Sequence, residues 1–308
     1  MKKNPSLFGM GIRILTKAEQ KTVDLGPLTG LQGTWEAAPF QGWNVIAVPG
    51  PTTTQGFTLE VIPYRETLSY TPVVIAGNRG PFVNGVQQEQ QLVGLLYEQT
   101  IFSVCPTDFC NQRGFSDGTE IHAERGIFLF DSSNLESPFT ISRLSTIPHG
   151  NALLALGEFT KDLPKNNDFF EEASTRPTTV SGGSTGLGYS EVQYEKEQFA
   201  DFNQLDPNTF LRKSLGNSVL TEMTTLQLST NQATGGILNI PFIQKNVNTT
   251  SLDATFWIQK IKNPVAGQPD IDQLQYTQTI DLVFPATGTS TPIVWPHITI
   301  ATLKKISN

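Results

Sequence analysis

The chain of 308 residues is poor in the side chains that most often carry catalysis or bind metals, with only three histidines and two cysteines. Charged residues make up 16% of it, and Asp and Glu outnumber Lys and Arg by 28 to 21. Binding to nucleic acid requires a basic surface, so we expect no nucleic-acid partner. No segment approaches the roughly 18 apolar residues of a membrane-spanning helix, so we expect no membrane span.

The first nineteen residues do not have the pattern of a secretory signal peptide. Two lysines precede some apolar residues, but Gly9, Gly11 and Arg13 interrupt the apolar run, and no small-residue cleavage site follows. We therefore predict a soluble, cytoplasmic protein.

The two cysteines, Cys105 and Cys110, do not indicate a metal site. No further ligands follow them at the spacings of zinc-binding motifs. We interpret them as free thiols or as an incidental disulfide in a turn. The chain also lacks the C-x-x-C-H motif of covalently attached heme.

Strand-forming segments dominate the sequence. Thr, Gln and Asn are abundant, and 26 glycines and 20 prolines favour turns over helices. Leu252, Ala254 and Phe256 alternate with polar residues, which is typical of a strand with one buried and one wet face. Because strands follow strands with no long helix between them, we predict an all-β fold, a single antiparallel barrel whose closure removes exposed edges. The predicted strands are 42–48, 57–73, 91–104, 120–130, 151–160, 218–230, 251–261, 274–284 and 297–306.

One stretch, residues 161–214, is polar and rich in Asn, Ser, Thr and Gly. We interpret it as an inserted excursion that covers a barrel mouth or contacts another subunit of a homo-oligomer. Residues 1–308 then form one domain. Within the excursion, Asp206 as cap and Pro207 at the first helical position predict a short helix over the mouth.

Several motifs occur in the order found in a family of small heme-binding barrels. Gly33-Thr34-Trp35 matches the G-x-W that opens calycin barrels, and His122, Glu124 and Gly126 form an H-x-E-x-G run. The chain resembles nitrobindin over most of its length outside the excursion, and it is similar to larger heme-binding barrels, some labelled peroxidases. The matching segments are 33–35, 64–72, 121–130, 143–159, 235–242 and 278–306.

The resemblance implies a calycin-type barrel of about ten strands, with Trp35 packed at one end. It also implies one heme b, bound by a histidine of the closing strand, where His297 is the only histidine. His297 lies one residue further from the final T-L-K-K than the family's ligand does. Such a slip reverses the face of a strand side chain unless a bulge or Pro296 corrects it. Trp295 and Ile147 are the further residues that we assign to the cofactor.

The remaining histidines are candidates for the same pocket. His149 lies in an apolar turn, and we expect it to be a distal base or the axial ligand itself. Arg143 is the candidate for stabilising charge on a bound peroxide. His122 alternates with Ile121 and Ala123, and its neighbours Glu120 and Glu124 indicate a polar face.

Three functions fit such a barrel. The first is a heme protein with peroxidase-like or nitrogen-oxide chemistry, on nitric oxide or peroxynitrite. The second is a heme-free carrier of a fatty acid or another apolar small molecule, and the third is a cofactor-free isomerase or cyclase. The motifs of serine hydrolases, zinc proteases and phosphate-binding loops are absent from the sequence.

Overall fold

A computed structural model describes residues 13–50, 56–105, 116–133, 139–147, 149–189, 202–286 and 290–307. Most of the secondary structure in these residues belongs to one antiparallel sheet of thirteen strands. The strands are β1 (Arg13–Ile14), β2 (Gly33–Pro49), β3 (Phe57–Val83), β4 (Val86–Ser103), β5 (Glu120–Asp131), β6 (Ile141–Ile147), β7 (Asn151–Thr160), β8 (Thr178–Thr179), β9 (Leu220–Ser229), β10 (Gly236–Asn239), β11 (Asn248–Ile261), β12 (Ile271–Pro285) and β13 (Pro292–Ser307).

Ten of these strands close into a barrel. Their order is β3-β2-β13-β12-β11-β9-β7-β6-β5-β4, and β4 pairs back onto β3 from Tyr64 opposite Ser103 onward. The other three strands lie outside the barrel, where β1 pairs with β3, β8 with β13 and β10 with β7. The prediction of a single antiparallel barrel of about ten strands is confirmed.

Helices are few and short in the described part of the chain. They are α1 (Lys17–Gln20), a 3-10 helix (Gly26–Leu31), α2 (Asn208–Leu215) and α3 (Pro241–Asn246). None of them is long and apolar enough to cross a membrane.

Helix α2 corresponds to the helix predicted in the excursion, with two differences. It begins at Asn208 with Pro207 as N-cap, and Oδ1 of Asp206 accepts a hydrogen bond from the Asn208 backbone at 3.2 Å. It also packs on the outer wall of the barrel and not over a mouth, because Gln275 on β12 donates from Nε2 to the Leu211 carbonyl at 3.0 Å.

One end of the barrel is closed by the 3-10 helix and by Trp35 on β2. Leu28, Leu31 and Trp35 are all fully buried. Trp35 Nε1 donates to the Leu31 carbonyl at 2.7 Å, which satisfies the single polar atom of the indole. The ammonium group of Lys305 lies 5.4 Å from the ring centre, within reach of a cation–π contact.

A second apolar cluster lies on the outside of the barrel wall, beneath the described part of residues 161–214. There Phe170 meets the Trp257 ring edge-on at 4.8 Å, and Phe202 stacks on Trp43 at 4.3 Å. The described residues of the excursion contribute β8 and α2 and no strand of the barrel. The sheet therefore separates an inner core from an outer one, except near Leu282, which belongs to the second cluster and also lines the cavity described below.

We predict that Trp35→Ala lowers the free energy of unfolding by about 3–5 kcal/mol, because it leaves a cavity where a buried indole packs. Trp35→Phe keeps most of the apolar volume and loses the hydrogen bond to Leu31, so it should cost markedly less. Urea denaturation followed by far-UV circular dichroism measures both. A Trp35→Ala variant as stable as the parent would contradict the packing described for this end.

Candidate functional site

A cavity of about 320 Å³ lies at the end of the barrel opposite Trp35. Strand β2 connects the two ends, with Trp35 near its start and Asn44 and Pro49, which line the cavity, towards its end. The floor is polar and the walls are mainly aliphatic. The aliphatic side chains include Ile46, Ile101, Ile121, Ile147, Leu153, Ile237, Ile243, Val247, Leu252, Ile280 and Leu282.

All three histidines of the chain line this cavity, although they come from distant parts of the sequence. His122 lies on β5, His149 in the turn between β6 and β7, and His297 on β13. The rings of His122 and His149 are 5.6 Å apart and tilted by 32°. The cavity is thus the place where all of the chain's imidazole groups are concentrated.

The hydrogen bonding of these histidines differs. His297 Nε2 lies 2.6 Å from Oδ1 of Asn44 on the neighbouring strand β2. Because an amide oxygen only accepts, this contact places a proton on Nε2 and leaves Nδ1 as the acceptor. His149 is exposed at the mouth, and no group among the described residues hydrogen-bonds its ring.

The protein environment keeps two of the imidazoles neutral. Burial, followed by the charges of His122 and His149, lowers the pKa of His297 to about 3. Burial and then the charge of His122 also lower the pKa of His149. The neutral imidazole is the form that binds metals and accepts protons, so both residues are in that form at neutral pH.

Strand β10 and helix α3 form one side of the mouth. Ile237 and Ile243 contribute aliphatic wall from this segment. The backbone N–H of Ile240 donates to the Gly150 carbonyl at 3.0 Å, which attaches the segment to the turn that carries His149. Gly150 has φ +109°, and a Cβ there would lie 2.6 Å from the Ile240 side chain, so the close approach requires glycine.

A buried ion pair lies beneath the cavity. Arg143 Nη2 is 2.7 Å from Glu124 Oε1, and Tyr97 donates to the same oxygen. Arg143 also donates to Tyr97 Oη at 2.9 Å and to the side-chain oxygen of Gln278. Burial raises the pKa of Glu124, but the Arg143 charge and the hydrogen bonds outweigh it and hold that pKa well below its usual range. The second carboxylate oxygen, Oε2, lies 3.4 Å from His122 Nε2 and faces the cavity.

A second buried carboxyl group, that of Glu66, has neutral hydrogen-bond partners. Gln99 donates from Nε2 to Oε1 at 2.6 Å, and Tyr276 donates to Oε2 at 2.7 Å. Burial, opposed by these two hydrogen bonds, raises the pKa of Glu66 to about 7. Tyr64 Oη lies 2.9 Å from Tyr276 Oη, and both Tyr64 and Gln99 line the cavity. The floor therefore rests on one ionised carboxylate and one that titrates near neutral pH.

The structure gathers some of the site residues proposed from the sequence and separates others. His149, His297 and Ile147 line the cavity, so the one-residue offset of His297 does not turn its ring away. Trp295 belongs to the outer apolar cluster and does not line the cavity. Arg143 lies below the floor, where its guanidinium is bonded to other protein groups.

The sequence interpretation missed the inward position of His122 and the role of Glu66. His122 is paired with Ile101 across β4 and β5, and Ile101 is buried in the inner core, so His122 faces inward and not outward on a polar face. The signal was present further along β5, where the buried Phe128 and Phe130 continue the same alternation. Glu66 likewise lies two residues from Tyr64 and from Leu68 on β3, so it shares the inward face of these buried residues.

Protein side chains alone do not provide a metal centre in the described part of the chain. No group of three or more His, Cys, Asp or Glu residues there is arranged to hold an ion. Cys105 is disulfide-bonded, while Cys110 and Pro148 lie outside the described residues.

Comparisons with known proteins give little further information. No family model matches the chain, and no curated protein sequence matches it. The chain is similar to the crystal structure of Rv2717c from M. tuberculosis at 16% identity and a TM-score of 0.39, over 95% of this chain and 99% of that one. This similarity is too weak to indicate a function.

We predict that His297 makes the protein sensitive to acid. Its folded pKa lies below the unfolded value, so its neutral form favours folding above about pH 6.5, and this contribution is lost as the pH falls towards about 3. Replacing it by Gln should therefore reduce the loss of unfolding free energy between about pH 7 and pH 4 by roughly 2–3 kcal/mol. Urea denaturation at the two pH values measures this difference.

The matched control for this prediction is Asn44→Ala. It removes the partner of His297 but keeps the imidazole, so the acid sensitivity should persist. If His297→Gln and the parent lose the same stability on acidification, another group is responsible.

Proposed function

We propose that the chain binds one small, mainly apolar molecule in the three-histidine cavity, and that this molecule is heme b. The observation that supports the proposal is the convergence of His122, His149 and His297 on a single apolar cavity. A heme site requires an axial side chain, most often histidine, and an apolar slot for the macrocycle. The cavity offers both kinds of group, and the resemblance to nitrobindin adds to this support.

His149 is the better placed of the two candidate axial ligands. Its ring has no hydrogen-bond partner among the described residues, and its lowered pKa keeps it neutral. His297 has Nε2 bound to Asn44, so it can ligate through Nδ1 or after that hydrogen bond is lost. We therefore assign the axial role to His149 and a role inside the cavity to His297.

The residues favour nitrogen-oxide binding over peroxide cleavage. Heme would supply an iron centre able to bind nitric oxide or to react with peroxide or peroxynitrite. Peroxide cleavage benefits from a cation beside the departing oxygen, and Arg143 is bonded to Glu124 beneath the floor instead. The described lining contains no Lys or Arg side chain.

A heme-free carrier of an apolar molecule is the second candidate, and two observations favour it. The cavity volume of about 320 Å³ is at the lower end of the range for small-molecule sites. The absence of Lys and Arg from the described lining also leaves the heme propionates without a cationic partner inside the cavity. A compact, uncharged ligand needs neither a larger space nor such a partner.

We expect the purified protein to take up hemin with a shifted Soret band, and His149→Ala to weaken hemin retention at least about tenfold, or about 1.4 kcal/mol. His297→Ala should bind hemin with a smaller change, and His122→Ala provides the matched control for removal of a cavity imidazole. Absorbance titration and transfer of hemin to apomyoglobin measure these effects.

The reverse outcome, in which only His297→Ala loses hemin, would exchange the two roles. If the parent takes up no hemin but binds an uncharged apolar fluorophore, the heme-free carrier is the function. If neither is bound, the proposed binding function is wrong.

A further inference from the structure

Two carboxyl groups and one amide occupy adjacent inward positions on three neighbouring strands below the cavity. Gln99 on β4 lies directly opposite Glu124 on β5, and it donates to Glu66 on β3 at 2.6 Å. Both carboxyl groups are buried. The amide of Gln99, which itself lines the cavity, therefore stands between them.

Among the described residues, a guanidinium is paired with one of these two carboxyl groups and not with the other. Arg143 lies 2.7 Å from Glu124, while the side chains that hydrogen-bond Glu66 are those of Gln99 and Tyr276, both uncharged. A buried carboxylate without a cation is costly, and a second carboxylate nearby raises that cost. Glu124 is therefore the anion of the pair, and Glu66 is the group that keeps or loses a proton.

The hydrogen bonds around Glu66 accommodate both of its protonation states. With Glu66 ionised, Tyr276 donates to its Oε2, and Tyr64 donates to Tyr276 Oη or to the Ile300 carbonyl, which lies 2.8 Å away. With Glu66 protonated, the carboxyl donates to Tyr276, Tyr276 donates to Tyr64, and Tyr64 donates to Ile300. The same heavy-atom positions serve both states, and the series of hydrogen bonds runs through Tyr64, a cavity-lining residue.

We propose that ligand binding in the cavity is coupled to the protonation of Glu66, so that binding of an uncharged, apolar ligand is accompanied by uptake of a proton by that carboxyl group. This inference rests on the proposed binding function. An apolar ligand displaces water from above Gln99 and Tyr64, which reduces the solvation of a Glu66 carboxylate below them and favours its neutral form. By linkage, affinity for such a ligand is highest where Glu66 is protonated and falls as it ionises.

The effects of the neighbouring titratable groups on the pH dependence of ligand affinity can be separated from the effect of Glu66. His122 and Glu124 face Glu66 from β5, Tyr276 faces it from β12, and Tyr64 precedes it on β3. Protonation of a cavity histidine would weaken binding of an apolar ligand as the pH falls. Protonation of Glu66 would strengthen it, so the two effects change the affinity in opposite directions. Glu124 is held ionised by Arg143 throughout, and burial raises the pKa values of both tyrosines well above their usual range.

The test uses the uncharged fluorophore phenylnaphthylamine, whose emission rises on transfer to an apolar site. Its Kd for the parent protein should increase about three- to tenfold between about pH 6 and pH 9, tenfold corresponding to a one-unit rise in the pKa of Glu66 on binding. Glu66→Gln keeps the shape and should abolish this change. Glu98→Gln, an exposed position on β4, is the matched control and should behave as the parent.

A second measurement does not depend on the Glu66→Gln variant being as stable as the parent, and its first part needs no ligand. The infrared C=O stretch of a protonated carboxyl should be present in the parent near neutral pH, disappear at alkaline pH, and grow when the fluorophore is added at neutral pH. Absence of that band at about pH 6, where a group with a pKa of about 7 is protonated, overturns the proposal.

The remaining outcomes are also decisive. Binding of the fluorophore with the same pH dependence in the parent and in Glu66→Gln overturns the coupling and leaves the binding function intact. Failure of the fluorophore and of hemin to bind at any pH contradicts the binding function itself, and the coupling with it.

Discussion

Because the sheet closes on itself through β3 and β4, every barrel strand has an inside and an outside, and the rest of the structure depends on that division. Even-numbered residues of β5 such as Glu124 and Phe128 face inward together with Tyr97 and Gln99 of β4. Residues of the opposite parity, such as Trp257 on β11, face the excursion. A slip of one residue in any strand would exchange the two sets. Closure therefore fixes both cores and the floor of the cavity at once.

The most demanding consequence is the polar layer between the aromatic core and the cavity. The guanidinium of Arg143 lies 5.3 Å from the Tyr97 ring and 5.8 Å from the Phe128 ring, so it is stacked on the core while its hydrogen bonds point to Glu124. A Cβ at Gly126 would lie 2.3 Å from the Leu144 carbonyl and 2.7 Å from the Tyr97 ring. The glycine of the H-x-E-x-G run thus allows Tyr97 to reach Glu124, which gives that motif a structural reason.

Removing one member of this polar layer lowers the free energy of unfolding by more than the intact layer contributes to it. A buried ion pair adds little net stability, but removing one partner leaves an uncompensated charge, at a cost of about 3–5 kcal/mol. Arg143, Glu124 and Tyr97 are therefore expected to act as one unit in stability measurements. Because Arg143 and the hydrogen bonds hold Glu124 ionised, Glu66 is the carboxyl group of this layer whose protonation state can change.

The fold could be predicted from the sequence because long alternating runs and turn residues are local signals. The site could be predicted only in part. His149, His297 and Ile147 were assigned to one pocket, but the partners of Arg143 depend on which residues of β4, β5 and β12 the closed barrel brings opposite it. The inward direction of His122 follows the alternation that Phe128 and Phe130 set on β5, whereas the irregular pairing at Ile101 and Phe102 changes the position of Glu120. No local pattern reports such a register shift.

The balance of charge around the cavity limits the ligands that either candidate function can use. Glu124 lines the cavity and is ionised at neutral pH, and Arg143 balances its charge from below. The imidazoles of His149 and His297 are neutral there. An anionic group buried in the cavity would find no Lys or Arg side chain among the described lining residues, and it would lie near the Glu124 carboxylate. A ligand with a carboxylate must therefore leave that group at the mouth, beside the exposed His149, and place its uncharged part against the aliphatic walls. The same orientation would hold for a bound heme or fatty acid, and the uncharged part of either ligand would then lie above Gln99 and Glu66.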